Sequence, residues 1–340
     1  MKRTLLSLSL LLTSFCTLQA EDAKPETVTG GLINPCGVAV QPKTGHVFVS
    51  DSANGRVIRI VDGKPQDVIT GSPKDVYGKG PMYDIGPLGL AFIDENTLVV
   101  GDGGFKDGEE YVRIYTVPAA GKAAIDFDKD AKAKLGPLPG EGDAVKPEGN
   151  LYGVAVTDTA IYVTCNGDDT KGWVSKATID GTKYGKLERY LPTKEAVEVD
   201  APVGITISPR GEIVVGQMGE VNKPKDSLLT FYSAKTGKKI LNLETGLYDI
   251  TGLAYSPKTG LLYATDFAWM AGSEGGLYRL DSEGKEGSQT VKATKIASLD
   301  KATALAFAPD GTLYVTLVGP KKEGDNASKE GSLVKFAAGL

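Results

Sequence analysis

The sequence predicts an all-β protein, a six-bladed β-propeller with four-stranded antiparallel blades. The first observation is a repeat: a unit that opens with Gly-Val-Ala or a close variant starts at residues 37, 89, 153, 204, 252 and 304. Repeats of this length with several short strands each are typical of propeller blades. The second observation is a face of small residues on the first strand of every unit. The third is an N-terminal segment that supplies a strand missing from the last unit.

Each unit begins with three strands, joined by a tight turn and then a longer loop. In unit one the strands are predicted at 38–40, 46–51 and 56–61, and Pro-Lys-Thr-Gly separates the first two. Proline presets one turn dihedral and glycine supplies a positive φ, so this turn favours a hairpin. Fourth strands are predicted at 66–70, 122–127, 188–192, 238–244 and 294–299.

The first strand of each unit carries small side chains on one face and larger side chains on the other. In unit one Gly37 and Ala39 share one face, and Val38 and Val40 share the other, because side chains alternate across a strand. The other five units repeat this pattern. When sheets pack around an axis, their innermost strands lie closest together. Small residues on one face of every first strand therefore indicate a closed ring rather than an open sandwich.

The two ends of the chain predict how the ring closes. The sixth unit stops after its third strand, at 332–336, while the segment KPETVTGG at 24–31 mirrors KPQDVITG, the fourth strand of unit one. We therefore expect residues 26–30 to complete the last blade. This pairing removes two open sheet edges that would favour aggregation.

The N-terminus has the layout of a secretory signal peptide. Lys2 and Arg3 precede an apolar run, and Ala20 ends a small-residue cleavage site. Residues 1–20 are predicted as the signal peptide, and residues 21–340 as one propeller domain with a mobile loop insertion at 129–150. The expected location is secreted or periplasmic, with a lipid anchor at Cys16 as the alternative.

Composition and cysteine placement limit the possible partners. The chain has 38 basic and 43 acidic residues and a net charge of −5, which argues against nucleic acid and anionic membranes. No later stretch is long enough to span a bilayer, and a monomer is expected.

Cys36 and Cys165 fall in units that are not neighbours, so two buried free thiols are favoured over a disulfide.

Binding is predicted on the face that carries the variable loops between second and third strands. The candidates there are Asp51, Asp102, Phe105, Asn150, Asp200, Asp249, Asp266 and Trp269. Oxygen ligands at a channel mouth suit Ca²⁺, and the possible metal ligands are Asn34, Asn150, Asp200 and Asp249. Two alternatives stay open. The acids would instead cap backbone amides, and the aromatic rings would fold back over their own loops.

A single histidine restricts the chemistry. His46 is the only one, and it lies at the short-turn side of unit one. A Ser-His-Asp triad at the loop-rich face and a multi-histidine zinc site are therefore excluded. An enzyme on this scaffold has to rely on carboxylates, with or without a metal ion.

The stretch NPCGVAVQPKTGHVFVSDSANGRVIRI resembles one unit of the NHL-repeat propellers. The chain as a whole resembles these and the related gluconolactonase (regucalcin)-like and strictosidine-synthase-like propellers. The resemblance implies, for gluconolactonase-like members, a divalent metal held by Glu, Asn and Asp at the starts of inner strands. Here the residues before the strand glycines are Cys36, Leu88, Tyr152, Val203 and Thr251.

Three functions remain open from the sequence. The main prediction is an exported binding module for a protein, peptide or glycan. The alternatives are a divalent-metal-dependent lactonase or esterase with a carboxylate-lined site at the channel mouth, and a structural domain of a larger assembly.

Overall fold

Inner strands of alternating small and branched residues form the wall of a central channel. The computed structural model describes residues 23–78, 80–167, 171–285 and 287–340. Six antiparallel sheets surround a channel of about 420 Å³, lined by the first strand of every blade. The predicted six-bladed all-β propeller is confirmed. The predicted signal peptide at 1–20 and Cys16 lie outside the described residues.

The first half of the ring contains three blades and a connecting hairpin. Strand β1 (Glu26–Leu32) belongs to the last blade. Blade 1 contains β2 (Pro35–Val40), β3 (Val47–Asp51), β4 (Arg56–Val61) and β5 (Lys64–Thr70). The hairpin consists of β6 (Asp75–Tyr77) and β7 (Tyr83–Ile85). The blade 2 region contains β8 (Leu90–Phe92), β9 (Thr97–Gly101), β10 (Val112–Thr116), β11 (Ile125–Asp126) and β12 (Ala133–Leu135). Blade 3 contains β13 (Val154–Thr157), β14 (Ala160–Cys165), β15 (Trp173–Asp180), β16 (Lys183–Tyr184) and β17 (Glu188–Pro192), followed by helix α1 (Thr193–Val197).

The second half is more regular. Blade 4 contains β18 (Pro202–Ile207), β19 (Ile213–Gln217), β20 (Leu228–Tyr232) and β21 (Lys239–Glu244). Blade 5 contains β22 (Ile250–Tyr255), β23 (Leu262–Asp266), β24 (Gly276–Glu283) and β25 (Thr290–Ser298). Blade 6 contains β26 (Ala302–Phe307), β27 (Leu313–Leu317) and β28 (Gly331–Phe336), with β1 as its fourth strand.

The N-terminal strand closes the ring as predicted. β1 pairs antiparallel with β28, and Glu26 lies opposite Lys335. Their side chains form an ion pair at 3.1 Å. Leu32, at the end of β1, is 2 % exposed and packs in the core that also contains Val38 and Leu333. The strand therefore contributes backbone pairing and core side chains to blade 6.

The predicted fourth strand of blade 2 at 122–127 is wrong. β11 pairs instead in parallel with β5 of blade 1, with Ile125 opposite Ile69. The fourth strand is β12, which pairs with β10 and comes from the segment predicted as a loop insertion. Phe127 is 1 % exposed and packs in the core between blades 1 and 2, so this stretch fills the gap between two sheets rather than extending one edge.

Small residues on the innermost strands let neighbouring blades approach closely. A Cβ atom at Gly37 would overlap the carbonyl oxygen of Leu88 in blade 2, and one at Gly89 would overlap that of Tyr152 in blade 3. Interiors are close-packed and do not open to admit an extra methyl group without a loss of stability. The predicted face of small residues is thus explained by the close approach of its α-carbons to carbonyl oxygens of the next blade.

Hydroxyl groups on the first two strands join four of the six neighbouring pairs of blades. The position that faces the first-strand glycine or alanine holds Ser50, Gly101, Thr164, Gly216, Thr265 and Thr316 in blades 1 to 6. Ser50 Oγ donates to Leu88 O at 2.6 Å, which joins blades 1 and 2. Thr164 Oγ1 donates to Val203 O at 2.9 Å, which joins blades 3 and 4.

In blades 5 and 6 a neighbouring threonine completes the connection. Thr251 Oγ1 contacts Thr265 Oγ1 and donates to Ala302 O at 2.8 Å, which joins blades 5 and 6. Thr303 Oγ1 contacts Thr316 Oγ1 and donates to Pro35 O at 2.7 Å, which joins blades 6 and 1. Gly101 and Gly216 have no side chain for such a bond. The Ser227 hydroxyl joins blades 4 and 5 instead, donating to Tyr248 O at 2.9 Å and accepting the Ile250 N–H at 3.1 Å, and the Leu151 N–H donates to Asp102 O at 2.9 Å between blades 2 and 3.

The cysteines are placed as predicted. Cys36 and Cys165 are both free and buried. Within the described ranges, no helix is long and apolar enough to cross a membrane.

Candidate functional site

Loops of four blade regions surround a cleft on the loop-rich face. The cleft has a volume of about 410 Å³ and is bounded by the β6–β7 hairpin and by loops of blades 2 to 5. The carboxylate and amide side chains that line it are Asp107, Asn150, Asn166, Asp200, Glu220 and Asn222. The predicted candidates Asn150, Asp200 and Trp269 therefore lie around one cavity. Sequence reasoning missed the other four polar residues.

A smaller apolar chamber lies at the inner end of the cleft. Its volume is about 60 Å³, and it shares Tyr77, Met218 and Trp269 with the cleft wall. Tyr83 and Trp269 pack edge to face with ring centroids 5.1 Å apart. Phe267 and Trp269 are 4 % and 7 % exposed, so the interpretation that these rings fold back over their loop is confirmed.

Asp249, Asp266 and Lys301 hold the loop that carries Trp269. The Asp249 carboxylate accepts the backbone N–H of Trp269, and Asp266 Oδ1 accepts that of Ala268 at 3.0 Å. Lys301 Nζ donates to the carbonyl oxygens of Ala268 at 2.7 Å and Trp269 at 2.8 Å. These three charged side chains therefore position the indole through its backbone.

Burial perturbs the ionisation of this group. The pKa of Asp249 is raised to about 7, chiefly by burial; the Trp269 N–H opposes this rise, and the nearby Asp266 carboxylate contributes to it. The pKa of Asp266 is raised by burial as well, and burial lowers the pKa of Lys301. The desolvated ionised form is disfavoured in each case.

Asp249→Asn is expected to weaken the pH dependence of stability. Because the folded-state pKa lies above the ordinary 3.8, the stability tied to the protonated carboxyl is lost as the pH rises from 3.8 through about 7. Between pH 5 and pH 8 the wild-type free energy of unfolding should fall by roughly 2 kcal/mol more than that of the variant. Urea denaturation at the two pH values measures this. Equal falls would contradict the prediction, and the exposed Asp180→Asn is the matched control.

Two of the predicted acids pair with arginine below the surface. Asp51 is fully buried and accepts Arg56 Nε at 2.8 Å and the Ile33 N–H at 2.6 Å. Asp102 is fully buried and forms an ion pair with Arg113. Burial raises the pKa of Asp102, and Arg113 opposes that rise. Both carboxylates are engaged within their own blades.

Phe105 and Asn34 also have structural partners. The Phe105 ring lies 5.3 Å from the Arg113 guanidinium carbon. Asn34 is 1 % exposed, its Nδ2 donates to the carbonyl oxygens of Asp84 and Asn326, and its Oδ1 accepts the Ser328 N–H at 2.8 Å. Asn34 thereby fastens the start of blade 1 to two loops.

Asn150 and Asp200 are held at the cleft by backbone and charged groups. Asn150 has a positive φ of 48°, and its N–H donates to the carboxyl group of Glu110. Burial raises the pKa of Glu110 to about 10. Asp200 Oδ2 accepts Lys194 Nζ at 3.0 Å, and Oδ1 accepts the Ala201 N–H at 2.7 Å. These two hydrogen bonds fix the orientation of the Asp200 carboxylate.

The donor chemistry of the cleft fits a hard divalent cation. In the part of the chain that the structure describes, no three His, Cys, Asp or Glu side chains are grouped as metal ligands. The cleft brings together amide oxygens of Asn150 and Asn166 with the carboxylate of Asp200. Ca²⁺ accepts mixed amide and carboxylate oxygens in loose geometry, so these residues suit a weakly held ion.

Comparison with known proteins shows the fold. No protein-family profile matches the sequence, and no curated protein matches it. A Thermus thermophilus protein, provisionally described as an oxidoreductase (glucose dehydrogenase), is 18 % identical with a TM-score of 0.63, covering 93 % of this chain and 100 % of its own. A gluconolactonase from Xanthomonas campestris is 15 % identical with a TM-score of 0.57, covering 93 % and 90 %. A calcium-binding protein, regucalcin, from Agrobacterium tumefaciens is 14 % identical with a TM-score of 0.55, covering 93 % and 94 %.

These similar structures correct the main functional prediction. Two of the three are described as enzymes, a glucose dehydrogenase and a gluconolactonase. The prediction of a binding module as the main function is therefore wrong, and the lactonase-type alternative is favoured. At 14–18 % identity the likeness establishes the architecture. The chain has the fold of the gluconolactonase- and regucalcin-like six-bladed propellers, as the sequence resemblance predicted.

Proposed function

We propose that the chain is an exported, divalent-cation-dependent hydrolase of lactones or esters. The observation that carries this proposal is the cleft itself, in which amide and carboxylate oxygens stand beside an aromatic wall. The gluconolactonase among the similar structures supports the reaction class, and the regucalcin supports Ca²⁺ as the ion.

Each residue of the cleft has a proposed role in hydrolysis that follows from its chemistry. A bound divalent cation would polarise the carbonyl group of the substrate. Asn150, Asn166 and Asp200 would hold that cation through their side-chain oxygens. Asp107, which lines the same cleft, would accept the proton of the attacking water. Tyr77 and Trp269 would exclude bulk water from the carbonyl group.

Asp200→Asn is expected to reduce kcat/KM for lactone or ester hydrolysis by about 100-fold or more, because it removes the one charged ligand of the cation. The measurement is hydrolysis of a panel of lactones and aryl esters in the presence of Ca²⁺, Mg²⁺, Mn²⁺ or Zn²⁺. Asp180→Asn, an exposed aspartate on the opposite face, is the matched control and should keep full activity.

A melting experiment tests the ion separately. Chelation should lower the Tm of the wild type, and Ca²⁺ should restore it, because a ligand of the folded state stabilises that state. The Tm of Asp200→Asn should not respond. Hydrolysis of no panel member with any of the four cations, or full activity in Asp200→Asn, would refute the proposed function.

A further inference from the structure

The apolar chamber and the rim of the cleft indicate which ligands the cleft accepts. Four large apolar side chains are exposed among the described residues, and two of them, Val76 at 43 % and Met270 at 65 %, lie on the cleft rim. Exposed apolar residues that cluster at a cavity mark a binding site, whereas single ones carry no such meaning. The rim therefore favours a ligand with an apolar part.

Beyond the rim, the aromatic wall continues into the chamber. Five residues line both cavities, namely Tyr77, Asn150, Asn166, Met218 and Trp269, which makes the chamber an extension of the cleft. Farther in, its wall is formed by Val203, Val318 and Phe267. Apolar cavities of this kind remain dry and bind apolar molecules when an opening exists.

The chamber wall also contains polar residues, and three of them are engaged within the fold. Thr251 and Thr303 donate to carbonyl oxygens of the neighbouring blades, and Asn34 Nδ2 donates to the backbone of two loops. These side chains therefore present little free polarity to the chamber.

We propose that the cleft selects lactones or esters with a short alkyl substituent, which enters the chamber. This inference rests on the proposed function for the reaction, but its binding step stands apart from the chemistry. The chamber of about 60 Å³ is smaller than the cavities of about 150 Å³ that hold benzene, so short chains fit and aryl groups do not. Polyhydroxylated lactones gain nothing from an apolar wall.

The experiment uses cyclopentanone and its 2-methyl, 2-ethyl, 2-propyl and 2-butyl derivatives, which keep the carbonyl group and cannot be hydrolysed. Dissociation constants are measured by NMR titration of the protein. Affinity should rise about fourfold with each added methylene until the chamber is full. A flat series would overturn the inference.

Variants locate the effect in the chamber. Val318→Phe, which fills the chamber, should abolish the dependence of affinity on chain length. Val318→Ile should shorten the optimal chain and is the milder substitution if the first lowers the yield of folded protein. Leu261→Phe, on the opposite face, is the control. An unaltered series in both Val318 variants would overturn the inference.

Kinetics separate the two proposals. Hydrolysis of lactones without preference for alkyl substituents would overturn the inference and leave the proposed function standing. A graded ketone series without hydrolysis of any lactone or ester would refute the proposed function and support the chamber as a ligand site.

Discussion

Asp102→Asn is expected to lower the free energy of unfolding by about 3–5 kcal/mol, because it leaves a buried arginine without its charge partner. Arg113 is 1 % exposed, and its guanidinium carbon lies 4.4 Å from the centre of the Phe127 ring. Its other acidic neighbour, Asp128, lies at 3.3 Å with a side chain that is 60 % exposed, so solvent weakens that pairing. Urea denaturation at neutral pH measures the loss.

The double variant Asp102→Asn/Arg113→Met distinguishes the mechanism. It removes the unpaired charge while keeping an apolar chain among the aromatic rings, so it should be more stable than Asp102→Asn alone. If the double variant is equally or more unstable, packing rather than charge accounts for the loss.

Removal of residues 23–32 is expected to abolish cooperative folding. The deletion removes β1 and exposes the edge of β28 to solvent. It also leaves a cavity in the core at the place of the Leu32 side chain, which is 2 % exposed in the intact protein. Exposed edges of this kind favour pairing with other chains, so the product should aggregate. Thermal melts and size-exclusion chromatography measure both effects.

A peptide of residues 23–33 added in trans is the control. If β1 acts by completing blade 6, the peptide should restore a cooperative transition and suppress aggregation. A scrambled peptide should not. A truncated chain that melts cooperatively without the peptide would show that the ring does not need its closing strand.

The fold could be predicted because its determinants are local and repeated. The alternation of glycine and alanine with branched residues reports the crowding around the channel in each of six units. The fourth strand of blade 2 could not be predicted in the same way. Whether Ile125 or Ala133 occupies that position depends on packing between blades 1 and 2, and a single sheet does not encode it.

The candidate site could be predicted only in part. Asp102 and Asp249 both lie at the loop-rich face, but the sequence alone does not show that one pairs with Arg113 and the other holds the Trp269 loop. Position 113, near the start of the third strand, resembles position 56, which pairs with Asp51, and this parallel was the available signal. Asp107 and Asn166 were missed because they lie within irregular loops that share no register.

The bonds between blades link the whole ring through its interior. Ser50, Thr164, Thr251 and Thr303 each donate to a carbonyl oxygen of the next blade, and Ser227 does so between blades 4 and 5. The Tyr152 hydroxyl, 3.2 Å from Thr303 O, crosses the channel from blade 3 to blade 6. Asn150, Asp200 and Trp269 come from three blades of this linked ring, so we expect the width of the cleft to be set before a ligand enters.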